Sequence, residues 1–121
     1  MKFLCLGYFD KKAMDSRPKA EIDTYMHRCE APLAELYRSR QLIFDAGLET
    51  KTVSVRIVKG KQMVTDGPFA ETRQVVGSAF LIEARDMDEA VRVASLHPAA
   101  RLGEEFGWGI QIRPVGIFHE G

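Results

Sequence analysis

The chain has 121 residues, 45% hydrophobic and 28% charged, with 17 basic and 17 acidic side chains and a formal net charge of zero. A single domain over residues 1–121 is expected, burying roughly two-thirds of its unfolded surface. The charge balance argues against a nucleic-acid binder, which needs a basic face against phosphate, and it leaves self-association unopposed by net repulsion.

Phe3 to Phe9 is continuously apolar, as in a strand buried on both faces. A helical segment begins near Pro18, a residue favoured in a first turn. In it Ile22, Tyr25, Met26, Cys29, Leu33, Leu36 and Tyr37 recur at helical spacing, and Pro32 should kink or split the helix. Gln41 to Leu48 reads as a second strand, and Thr52 to Val58 alternates as a third. Lys59-Gly60-Lys61 suits a tight turn into a short fourth strand, Gln62 to Thr65.

The following "VTDGPFAET", Val64 to Thr72, holds conflicting signals. Asp-Gly after an apolar run suggests a hairpin turn, but Pro68 lacks the N–H a returning strand needs and biases Gly67 toward extended backbone. A shaped loop is expected, presenting a carboxylate and an aromatic ring, and a cis Gly67–Pro68 bond fits that shape. Val75 to Ala84 is a fifth strand. Asp86 caps a helix with Glu89 three residues on, its buried stripe being Met87, Ala90, Val91 and Ala94, and His97-Pro98 ends it. Ile110 to Val115 is a last strand.

The order is β-α-β, an inserted hairpin, then β-α-β, the split βαβ plan of an α+β ferredoxin-like fold. Its helices cover one sheet face only. A second copy of the chain is the expected cover for the other, giving a homodimer arranged as an α+β barrel. Cys5 and Cys29 fall in apolar patterns without metal-site spacing, so both read as reduced core thiols, and no metal or other cofactor is expected. The first apolar run is short for a secretion signal and nothing approaches a membrane span, so no membrane partner and a cytoplasmic location are expected.

The chain resembles the DGPF branch of the YCII-related family over nearly its whole length. The resemblance is carried by "AGLET" (Ala46–Thr50), "VTDGPFAET", Gly77, "MDEA" (Met87–Ala90), "HPAAR" (His97–Arg101) and "IQIRPV" (Ile110–Val115). It implies a dimeric ferredoxin-like barrel, usually bacterial, and acid–base chemistry through a His–Asp pair. It also implies a regulatory setting beside alternative sigma factors. The broader family's His lies in the first helix, where this chain has His27. At ~100° per residue, His27 points about 140° from the apolar stripe, which places it in solvent.

Asp66 is then the leading catalytic candidate, a carboxylate at a cleft mouth able to move a proton, although an Asp in a turn also fixes its own loop. His97 is the second. At a helix end its charged form would be favoured and it would titrate near neutral pH, or simply cap the helix. Together they form a base and its orienter if the fold brings them together. Tyr8, Phe69, Glu71 and Arg101 are candidate substrate-binding residues, each with a plainer role in packing or surface ion pairing. No nucleotide, zinc-protease or α/β-hydrolase motif is present. Two readings follow: a cofactor-independent lyase or isomerase for a small molecule, or a non-catalytic dimeric binding module.

Overall fold

The computed structural model describes residues 1–121. Strand β1 (Lys2–Asp10) leads into a one-turn helix α1 (Lys11–Asp15), then α2 (Lys19–Arg28) and α3 (Glu30–Arg38). Next come β2 (Leu42–Gly47), the hairpin β3 (Val53–Val58) and β4 (Lys61–Asp66), and β5 (Gln74–Glu83). Helices α4 (Met87–Ala94) and α5 (Pro98–Arg101), a 3-10 turn (Glu104–Phe106) and β6 (Gly109–Pro114) complete the chain.

The main sheet has the order β2-β5-β1-β6 with every neighbouring pair antiparallel. Each split βαβ half therefore leaves a gap that a strand of the other half fills, which is the α+β ferredoxin-like arrangement. The hairpin forms its own two-stranded sheet and is the expected insertion. Lys59 and Gly60 both take positive φ, at 51° and 78°, the combination a two-residue hairpin turn requires.

The core lies between one sheet face and the helices. Phe3 and Cys5 of β1, Phe80 and Ile82 of β5, Leu36 of α3, and Ala90, Val93 and Ala94 of α4 form one buried cluster. The expectation that β1 is buried on both faces needs correction. Phe3, Cys5 and Gly7 are buried, whereas Leu4, Leu6 and Tyr8 opposite them are half-buried, because no helix crosses that side. Asp86 caps α4 by accepting the Glu89 N–H at 2.9 Å, as the sequence indicates. Its buried residues are Ala90, Val93 and Ala94, whereas Met87 and Val91 of the expected stripe are 39% and 46% exposed.

Pro32 falls in the first turn of α3, where an N–H is not needed, and the helical run splits at Cys29. Both thiols are free and buried. No helix is long and apolar enough to cross a membrane. The Gly67–Pro68 bond is trans, since the chain has no cis peptide. Gly67 is not extended: it takes φ +98°, a region in which its missing side chain removes the steric penalty.

Candidate functional site

Between the helix-facing side of the sheet and α1–α3 lies a chamber of about 510 Å³, within the usual range of ligand pockets. Its floor comes from paired residues of three strands. Gly7 pairs with Ser78, Ser78 with Gly47, and Phe80 with Asp45, so all of these side chains project to one face. A side chain at Gly7 would overlap the Ser78 hydroxyl, so the glycine keeps the floor open. Ile22, Met26, Cys29 and Leu33 form much of the wall. The apolar helical stripe is therefore largely a cavity lining, and Met26 is 54% exposed.

His97 and Asp45 form the polar end of this chamber. His97 does not end the preceding helix; it is the N-cap of α5, with Pro98 at the first helical position. The Ala99 N–H donates to His97 Nδ1 at 3.1 Å. With Nδ1 accepting, the neutral ring carries its proton on Nε2. The ring stacks on Phe80 at 4.6 Å between centroids and 3° between planes. Burial lowers the His97 pKa, and the nearby Asp45 charge only partly opposes this. The charged imidazole expected at a helix C-terminus is thus replaced by a neutral one at a helix N-terminus.

Asp45 Oδ1 lies 3.9 Å from His97 Nε2, too far for a direct hydrogen bond. The two groups instead share the space in front of them. Asp45 Oδ2 accepts the Tyr37 hydroxyl at 2.8 Å. Ser78 adds a hydroxyl to the lining. Trp108 closes one side, seated over Gly103, whose φ of +73° and lack of Cβ make room for the indole.

The carboxylate beside His97 is therefore Asp45 and not Asp66. Asp66 ends β4, is exposed, and lines neither this chamber nor the groove beside it. The physical reason is the hairpin, which pairs only with itself and carries Asp66 off the main sheet. The DGPF loop is nevertheless held firmly. Gly67 N–H donates to Thr52 O at 2.8 Å, and the buried Ser54 hydroxyl donates to Gly67 O at 2.6 Å. Phe69 is 65% exposed, its ring 4.4 Å from the Arg56 guanidinium.

Glu71 lines the open outer groove, which shares Tyr8, Asp15, Leu48 and Thr50 with the chamber. The Tyr8 hydroxyl donates to Gln111 at 3.1 Å. Arg101 is engaged at 2.8 Å by Glu35 of α3, an internal ion pair in place of a free anion site. His27 is in solvent beside Glu30, as its position off the stripe indicates. No group of three or more His, Cys, Asp or Glu side chains could hold a metal ion.

Two residues escaped the sequence reading. Asp45 sits in the apolar run "LIFDAG", where a lone carboxylate in a strand is a usable signal. Tyr37 looked like an ordinary member of the helical stripe.

The family described as YCII-related domain matches residues 1–107 of the chain. An uncharacterised protein of Rhizobium meliloti (strain 1021) is 26% identical over 123 positions, covering 100% of this chain and 97% of the relative.

Proposed function

Because the chain belongs to the YCII-related domain family, we propose that it is a cytoplasmic, cofactor-independent enzyme of lyase or isomerase type, with Asp45 and His97 as its acid–base pair. The observation that carries this reading is the 3.9 Å approach of Asp45 Oδ1 to His97 Nε2 at the polar end of a mostly apolar chamber. A small, largely apolar carbonyl compound suits such a space. Asp45 takes a proton from the carbon beside the carbonyl, and the C–H electron pair passes into an enolate. The Nε2–H of neutral His97 hydrogen-bonds the oxygen on which the charge develops, a role that a depressed imidazole pKa favours. Where the substrate carries a β,γ double bond, return of the proton to the γ-carbon of the dienolate completes an isomerisation; loss of a β-leaving group completes an elimination.

The test is solvent exchange. Small ketones, aldehydes and unsaturated lactones are incubated with the protein in D₂O and followed by proton NMR. Catalysed loss of an α-proton signal, abolished in Asp45→Asn, is the expected result. Exchange equal in the two proteins contradicts the assignment.

The same reading makes the protein a homodimer. The sheet face away from the helices presents half-buried Leu4, Leu6, Ala46 and Ala79, and Phe44 is 45% exposed. A second copy covers that apolar surface. Sedimentation equilibrium should return twice 13.6 kDa, and the single mass would refute the pairing.

One observation favours the alternative, a non-catalytic binding or protein-interaction dimer, within which the regulatory setting implied by the DGPF resemblance would fall. The hairpin exposes Val53, Val55, Ile57 and Val64 by about half or more. A catalytic hairpin has no need of them, whereas an interaction surface does. Under this alternative no exchange occurs with any carbonyl compound.

A further inference from the structure

The two oxygens of Asp45 face different neighbours. Oδ1 approaches His97, and Oδ2 accepts the Tyr37 hydroxyl at 2.8 Å. Tyr37 is not part of the chamber lining; it is half-exposed on the last turn of α3 and reaches Asp45 from outside. Two residues earlier on the same helix, Glu35 receives Arg101 at 2.8 Å. Arg101 ends α5, the helix whose N-cap is His97. Helix α3 therefore reaches the pair twice, through Tyr37 to the carboxylate and through Glu35–Arg101 to the helix that orients the imidazole.

A carboxylate turns readily about its last side-chain bond, where the torsional wells are broad. One fixed donor on Oδ2 limits that turning and leaves Oδ1 directed at the ring. We infer that Tyr37 is a positioning residue, its phenol holding the Asp45 carboxylate so that one oxygen faces His97 and the chamber, with the Glu35–Arg101 pair fixing α3 against α5. The inference rests on Asp45 and His97 being the functional pair, but its test needs no turnover.

Without the phenol the carboxylate is free to turn, so removing it leaves less negative charge facing the imidazole. Asp45 is the charged group that acts on His97; Glu35 and Arg101 offset each other nearby, and Asp15 lines the chamber as well. The other end of the contact carries a matching sign. The Tyr37 pKa is raised, first by its hydrogen bond to Asp45 and then by burial and the carboxylate charge.

The experiment follows the imidazole proton resonances by NMR through a pH titration, with exposed His27 and His119 as internal references. In Tyr37→Phe the released carboxylate turns from the ring, so the His97 midpoint should move down toward the Asp45→Asn value while the references stay put. In Asp45→Asn it should move down, and the double variant should match Asp45→Asn alone. An unmoved or raised His97 midpoint in Tyr37→Phe, even with a lowered Tm, overturns the inference and leaves Tyr37 without a positioning role. Should Tyr37→Phe fail to fold, tyrosine absorbance in Asp45→Asn reads the contact from the other side. The Tyr37 phenol should then ionise at lower pH than in the unaltered protein, and an unchanged phenol titration equally overturns the inference. If solvent exchange is absent but these shifts appear, the positioning stands and the catalytic reading falls.

Discussion

The chamber end and the DGPF hairpin are built from similar materials, yet they are held in opposite ways. At the chamber, Asp45 and His97 sit on elements tied into the main sheet and its helices, and each polar atom faces a defined neighbour. At the hairpin, Asp66 ends a strand that bonds only to its hairpin partner, Phe69 lies in the loop that follows, and both side chains are largely in water. A firmly shaped backbone is common to both. What differs is the environment of the side chains, and desolvation is what makes an acid–base group strong.

The comparison breaks most visibly under mutation of the shared core. Phe80 is fully buried and also carries the stacked His97 ring. Phe80→Ala should cost about 3–5 kcal/mol in urea unfolding. Val55→Ala on the hairpin should cost under about 0.5 kcal/mol in the monomer, and a loss as large as the core variant's would erase the distinction. Within the site, His97→Asn keeps an acceptor for the Ala99 N–H but removes the imidazole. Exchange activity should fall by about 10²–10⁴-fold, as for loss of a general acid, with folding retained by circular dichroism.

Tyr37→Phe should lower kcat by roughly 10-fold with KM little changed, the usual scale for a group that orients a catalytic one. A more local effect is expected at Gly103. There Gly103→Ala combines a positive φ with overlap against Trp108 and should cost about 1–3 kcal/mol. Asp66→Asn is the smallest: stability within about 0.5 kcal/mol and unaltered exchange.

Acidity sharpens the same contrast. Burial depresses the folded-state His97 pKa below its ordinary 6.5, so the unfolded chain binds the proton more readily. The His97 contribution to stability is therefore complete above about pH 6.5 and is lost as the pH falls from there through the folded-state value. Protonation of Nδ1 would also break the cap on Ala99. Unfolding curves measured across that range should lose this slope in His97→Asn, while Asp66→Asn should retain it.

Much of the fold is legible in the chain because alternation, caps and turn residues are local signals. The Lys59-Gly60 turn, the Asp86 cap, the alternating third strand and the solvent position of His27 follow from neighbours within a few residues. The chamber is not local. Ile22, Met26, Cys29 and Leu33 have the same spacing whether they fill a core or line a hollow; Gly7 and Gly47 beneath them decide which. The polarity of His97 turns on a single step of chain. Read as the end of α4 it lies at a negative helix end, but Pro98 at a first helical position marks it as the cap of a new helix. Asp45 was hidden because its partner lies 52 residues away and is joined to it only through the β2–β5 register with Phe80.

The most direct test is the protonation state of His97, read from ring-nitrogen chemical shifts of ¹⁵N-histidine-labelled protein near neutral pH. A neutral ring protonated on Nε2, the nitrogen facing Asp45, is the expected outcome. An imidazolium, or a neutral ring protonated on Nδ1, would contradict the pair as described.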